Sequence, residues 1–251
     1  GWIMDEFILY SLQQGWYGLE NLSDIPGQVG ASAVQNIGAY GVEIGERIEA
    51  VNCISLEDGT MRTFCREECR YSYRHSIFKT PEYRGRYAVT SVDYCLDKIF
   101  TPNIEYAGIR QVLGSDGVDI TGLSAMQLRN TVISIRKNKL PDPKVQGNAG
   151  SFFMNPIVDS ATFERLKSMY ADMPGYVVDD SHMKIPAAWL IEQCGWKGAA
   201  LGRAGVHSRQ PLVLVNLGGA TGNDIRLLSD RIQRDVLGKF GVKITPEVNF
   251  I

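Results

Sequence analysis

The two prolines in Pro141-Asp142-Pro143 constrain this chain more than any other feature. Each removes a backbone donor and drives the preceding residue out of the helical region, so a helix running into this point must stop. Such a helix is predicted over residues 124–138, with Ser124 as N-cap and Gln127 placed to close a capping box. The break divides the chain into two expected domains, residues 1–140 and 141–251.

The first half opens with apolar side chains at helical spacing over residues 3–14, closed by Gly15. Glycines then crowd residues 26–45, at 27, 30, 38, 41 and 45. Residues 48–56, 60–64 and 87–96 read as strands, and Asp58-Gly59 between the first two is a hairpin signal. Residues 97–122 read as irregular. In the second half, helices are expected near 160–171, 186–194 and 224–240, with strands at 212–215 and 242–250. The sum is an α+β chain without internal repeats.

Twenty-six Lys+Arg against 28 Asp+Glu give a net charge of −2, too weak a field to gather nucleic acid or an anionic membrane. Any bound anion must be held by local groups. Five cysteines, none in a C-x-x-C pair, and only three histidines give no metal-ligand spacing, and the odd thiol count fits a reducing cytoplasm. No apolar run is long enough to span a bilayer as a helix.

Four constellations carry the candidate chemistry. Ile25, Pro26, Gly27, Val29, Gly30 and Ala31, with Asn36, Ile37, Gly38, Ala39 and Tyr40, could cradle a phosphate or approach a flat cofactor, although spacing alone favours tight turns. Neither dinucleotide nor P-loop fingerprint is present. In Tyr73-Arg74-His75-Ser76, strand alternation sets Tyr73 and Arg74 on opposite faces; the guanidinium could fork onto a carboxylate, but arginines on strands usually face solvent. Ser151 sits in a small-residue turn before Phe152-Phe153, and the absence of G-x-S-x-G argues against a serine hydrolase. Glu247 lies on the terminal strand, where a lone Glu is ordinarily solvated.

Taken in order, Gly18-Leu19-Glu20-Asn21-Leu22-Ser23, Ile25-Pro26-Gly27, Gln35-Asn36-Ile37-Gly38-Ala39-Tyr40-Gly41, Tyr73-Arg74, Ser76-Ile77-Phe78-Lys79, Lys139-Leu140-Pro141-Asp142-Pro143, Gly147-Asn148-Ala149-Gly150-Ser151-Phe152-Phe153 and Pro246-Glu247-Val248 closely resemble the UDP-N-acetylenolpyruvoylglucosamine reductase family. The resemblance covers essentially the whole chain. It implies the remainder of an FAD-binding domain of the vanillyl-alcohol-oxidase type, without its N-terminal part, followed by a substrate domain. The implied reaction uses NADPH and FAD to reduce UDP-N-acetylglucosamine enolpyruvate to UDP-N-acetylmuramate in cell-wall precursor synthesis, in a cytoplasmic protein compatible with a monomer. The alternative is a UDP-sugar-binding module without flavin chemistry.

By position, Ser151 resembles the family's proton donor, with Arg74 and Glu247 as its catalytic companions. The glycine-rich residues and Tyr73 match flavin-side positions. Tyr106 resembles the tyrosine of a mobile loop, placed here near 100–115, and Lys139, Asn155, Tyr176, Lys184, Lys197 and Gln210 match UDP-sugar positions. Asn249 and Ala31 depart from the family's usual arginine and serine.

Overall fold

Helical spacing at the start produces α1 (Met4–Gln13), whose Met4, Ile8, Ser11 and Leu12 form one buried stripe. A computed structural model describes residues 1–250, except for the side chain of Ala107. The chain divides into two compact units, Gly1–Asn138 and Lys139–Ile251.

In the first unit, α2 (Val29–Gln35) ends at Asn36, which adopts a left-handed φ of 50°. β1 (Gly38–Ala39) and β2 (Val42–Glu43) pair antiparallel around Tyr40 and Gly41, with φ of 51° and 82°, the two left-handed residues that a type I′ turn demands. β3 (Ile48–Ser55) and β4 (Met61–Cys65) form the hairpin expected from Asp58-Gly59, followed by the single turn α3 (Arg66–Cys69). β5 (Tyr87–Tyr94) completes an antiparallel sheet of order β4-β3-β5. Val51, Cys53 and Phe64 from this sheet bury against Met4, Ile8 and Leu22. Helix α2 lies close on β5: a Cβ added at Gly30 would stand 3.3 Å from Val89 Cγ1.

Residues 97–122 are not irregular throughout, because α4 (Ala107–Ser115) falls inside them. Gly108 and Gly114 dilute its helix propensity, but Ile109 and Leu113, four apart and both fully buried, supply the packing that overrides it. They form a cluster with Leu128, Val132 and Ile135 of α5 (Ala125–Lys139). The capping box at the head of α5 is closed, Gln127 Oε1 accepting from Ser124 N at 2.9 Å and Ser124 Oγ from Gln127 N at 3.3 Å.

The second unit contains β6 (Asn148–Ser151), β7 (Ile157–Asp159), α6 (Ser160–Met169), β8 (Tyr176–Asp179), β9 (His182–Lys184) and α7 (Ala187–Gln193). Then come β10 (Ala200–Leu201), β11 (Ala204–Val206), β12 (Val213–Asn216) and α8 (Gly222–Phe240). Two antiparallel sheets result, of order β10-β11-β12-β6 and β7-β9-β8. Phe152, Phe153, Leu190, Leu214 and the buried face of α8 fill one core.

Residues 242–250 do not make the expected strand. Val242 and Ile244 alternate inward, 3% and 0% exposed, but pairing is confined to Met154 N donating to Thr245 O and Glu247 N donating to Phe152 O, with Pro246 at the position whose nitrogen faces away from the partner. What remains is one bridge, Phe153 to Pro246.

Candidate active site

Arg74 is on a tight turn, not a strand. Ser72 N donates to His75 O at 3.2 Å and His75 N to Ser72 O at 2.9 Å, leaving Tyr73 and Arg74 as the loop, with Arg74 at a φ of 54°. The expected alternation therefore fails: a non-glycine residue held left-handed, at a cost of about 1–2 kcal/mol, sends its side chain sideways instead of across a sheet. The guanidinium donates from Nη2 to Gly38 O at 2.7 Å and lies 5.2 Å from the Tyr73 ring centroid.

Asn36 ties the same region together from beneath. Its amide donates to Ser72 O at 2.7 Å and Glu43 Oε2 at 2.8 Å, and its Oδ1 accepts from Gly45 N at 2.9 Å. With those bonds made and no exposed surface, the Asn36 side chain belongs to the scaffold. Two motifs more than thirty positions apart thus become one platform. The close glycines explain themselves here: Cβ atoms would meet Arg74 Nη1 at 3.0 Å from Gly38, and Tyr71 Cγ at 2.7 Å from Gly45.

Gly27 differs. It has a φ of 131°, no heavy atom lies within 4 Å of its absent Cβ, and Pro26, Gly27 and Ala31 are exposed. That stretch is exposed, although its backbone is partly engaged: Gly27 O accepts from Met4 N and Val29 N donates to Trp2 O, each at 3.0 Å. Ile25, Val29, Ile37 and Ala39 are half-buried and pack on the core behind it.

Tyr40, at its turn, meets Tyr106 edge to face with centroids 5.1 Å apart. Asn21 fixes the approach, donating to both Tyr40 O and Asn103 O at 2.9 Å. Burial pushes the Tyr40 hydroxyl up, while the Arg136 guanidinium beside it works the other way. Arg136 Nε donates to Asp24 O at 3.1 Å. Sequence reading missed Arg136, one more polar residue on an amphipathic helix; a half-buried arginine beside Tyr40 has no local signature.

In the second unit, Ser151 is the exposed last residue of β6, opposite Val213. Gly150, at a φ of 68°, turns the strand just before it, and Asn148 Oδ1 accepts the Gly150 N–H at 2.9 Å. The next residue is the anchor. Phe152 N donates to Leu212 O at 2.7 Å, and Phe152 O accepts from Glu247 N at 2.8 Å, while its ring is buried. Glu247 and the Gln210–Val213 turn are therefore fastened on either side of the residue that follows Ser151. Gln210 is drawn in by the same turn, its carbonyl accepting from Val213 N at 3.0 Å.

Tyr176 and Lys184 are cross-strand partners on β8 and β9 and share a face of that sheet. Asn155 Oδ1 accepts from Ala187 N at 2.9 Å, capping α7, whose N-cap Pro186 has no side chain able to do so. Lys197 is exposed and donates to Glu192 at 2.7 Å, a pairing weak enough to give way to a stronger anion. Lys139 is exposed at the end of α5, apart from these groups in the hydrogen-bond pattern.

Residues 142–251 match the family described as UDP-N-acetylenolpyruvoylglucosamine reductase, C-terminal domain. The reductase of that name from Bacteroides fragilis is 51% identical over all 251 residues, which cover 74% of its length. That from Porphyromonas gingivalis is 48% identical over the same residues, with 73% of its length covered. The fold is similar to the crystal structure of UDP-N-acetylenolpyruvylglucosamine reductase from Thermus caldophilus, with a TM-score of 0.65 at 23% identity, over 98% of this chain and 69% of that one. Motifs, fold and full-length identity agree: the chain belongs to the UDP-N-acetylenolpyruvoylglucosamine reductase family.

Proposed function

We propose that the chain reduces the enolpyruvyl double bond of UDP-N-acetylglucosamine enolpyruvate, giving UDP-N-acetylmuramate for peptidoglycan. FAD, when bound, supplies the hydride, which it takes from NADPH. Residues 1–140 belong to its domain, of the vanillyl-alcohol-oxidase type. The exposed Pro26–Gly27 stretch, the segments 25–31 and 36–40, and Tyr73 would hold it.

The chain's own groups do the rest. Arg74 neutralises the substrate carboxylate as charge builds toward it, a contribution of about 3–4 kcal/mol for a preorganised donor. Ser151 Oγ gives its proton to the substrate carbon that becomes electron-rich, so hydride and proton together saturate the double bond. Glu247 positions that carbon and the acid. Lys184 and Tyr176, on one sheet face, grip the nucleotide diphosphate with Lys139, Lys197, Asn155 and Gln210, and Tyr106 covers it.

The observation that carries this reading is the fastening of Glu247 to Phe152, the neighbour of Ser151, because an acid and its partner carboxylate have to be held in register. Stopped-flow absorbance on the FAD-loaded full-length protein tests it. Ser151→Ala should slow substrate reduction by about a hundredfold or more relative to flavin reduction by NADPH. Equal loss of both steps would overturn the proton-donor role. Binding of the UDP-sugar without any retention of FAD would make the chain a binding module instead.

A further inference from the structure

We propose that Lys79 is a positioning residue for Arg74, setting the direction of the guanidinium without touching the substrate. The inference rests on the catalytic reading of Arg74 given above. Lys79 Nζ donates to Arg74 O at 2.7 Å and to Gln35 Oε1 at 3.0 Å. Gln35 is the last residue of α2, so a single ammonium joins the end of that helix to the turn carrying Arg74.

The turn needs such a tie. Arg74 is left-handed at a φ of 54°, a conformation that an arginine leaves readily unless its surroundings hold it. Two cross-turn hydrogen bonds between Ser72 and His75 close the loop, and one of them, donated by the His75 N–H, holds the amide end of the peptide after Arg74 while leaving its carbonyl end to another donor. The Arg74 carbonyl belongs to that peptide, and a charged donor at 2.7 Å is the strongest neutral-carbonyl anchor a side chain can provide. Ser76 Oγ adds a second tie, donating to Val34 O at 2.6 Å.

At the far end, Arg74 Nη2 donates to Gly38 O. Gly38 allows this approach only because it lacks a Cβ, which would lie 3.0 Å from Arg74 Nη1. Arg74 is thus gripped at its backbone by Lys79 and at its head by Gly38. A cation at the C-terminal end of α2 is also favoured by the helix dipole, so Lys79 has an electrostatic reason to stay where it holds the turn.

The test uses the FAD-loaded full-length protein and follows the two half-reactions separately. Lys79→Met should cut the rate constant for substrate reduction about tenfold or more, leave flavin reduction by NADPH within twofold, and leave substrate affinity little changed. Lys79→Arg, which keeps a charged donor, should recover most of the loss. Combining Lys79→Met with Arg74→Lys should be no worse than Arg74→Lys alone, as for groups acting in one chain.

Should Lys79→Met not fold, Lys79→Gln, which keeps a weaker donor, is read in the same way. Substrate reduction within twofold of the parent in the Lys79 variant, alongside a large loss in Arg74→Lys, would overturn the positioning role. Full multiplication of the two losses in the double variant would overturn it too. If Arg74→Lys itself reduces substrate at the parent's rate, the catalytic reading of Arg74 fails instead.

Discussion

Glu247 is bound through its peptide N–H to the carbonyl of Phe152 at 2.8 Å, so the last segment of the chain reports directly on the residue beside Ser151. Met154 N returns a bond to Thr245 O at 2.9 Å, and Val242 and Ile244 root the segment in the core. Its position is held by two backbone bonds and two side chains.

Ile244→Ala should therefore do two things. Removing a fully buried side chain should destabilise the second unit by about 2–4 kcal/mol, read by urea unfolding. It should also slow substrate reduction more than flavin reduction, because Glu247 loses its root. Loss of stability with both half-reactions intact would show that the segment's seating does not matter for catalysis.

The Asn36 platform makes a sharper prediction from two substitutions. Asn36→Ala leaves Gly45 N–H, Ser72 O and Glu43 without their partner and retains a Cβ at a φ of 50°, for a loss of about 3–5 kcal/mol. Asn36→Gly makes the same deletions but relieves the left-handed strain, so it should be about 1 kcal/mol less damaging. Differential scanning of the two variants decides the order; alanine equal to or better than glycine would refute the strain.

Much of this was legible in the residues and some was not, for identifiable reasons. The Asp58-Gly59 hairpin, α1, α5 and α8 carry their signals locally, in turn chemistry, caps and helical spacing. The strands β6 to β11 are two to four residues long, too short for alternation to register. Tyr73-Arg74 was read as strand because its backbone reversal is enforced by Asn36 and Lys79, which meet it only in the fold. The 242–250 segment pairs only at the Phe153–Pro246 bridge, although its inward alternation was real. For the candidate site, ordered motifs named the residues, but nothing in them revealed that Phe152 supplies the backbone to which Glu247 and the Gln210 turn are fastened.

The cysteines separate by burial. Cys53 and Cys69 are fully buried, and desolvation pushes each thiol up to about 11, whereas Cys65 and Cys95 are exposed. Only thiolate reacts, so a disulfide reagent at about pH 8 should label exposed Cys95 quickly, Cys65, exposed but with its thiol raised by hydrogen bonds to Glu67 and Glu68, and half-buried Cys194 more slowly, and Cys53 and Cys69 only on unfolding. Peptide mass mapping against time checks this order. Early labelling of Cys53 or Cys69 would mean that the sheet of the first unit opens far more readily than its packing implies.

Asp5 and Arg129 join the first and last helices of the first unit across 124 positions, with guanidinium nitrogens 2.6 and 2.8 Å from the two carboxylate oxygens. Arg129 is buried, and Asp5 also accepts from Asp24 N at 2.7 Å. The hydrogen bond from Arg129 is the main reason the Asp5 carboxyl is held below its ordinary value, ahead of the opposing effect of burial. A depressed folded-state pKa gives stability that is present above the unfolded value and lost as pH falls through the folded one. Asp5→Asn should consequently be less stable than the parent at about pH 7 by about 2–3 kcal/mol, since it strands a buried guanidinium. The gap should shrink as pH drops below the ordinary aspartate value of 3.8. Glu20, which burial pushes up, titrates with the opposite sign in both proteins, so it leaves the difference untouched. Urea midpoints for the two proteins across that range measure the gap, and one that stays constant into acid would show that Asp5 is not the group holding α1 to α5.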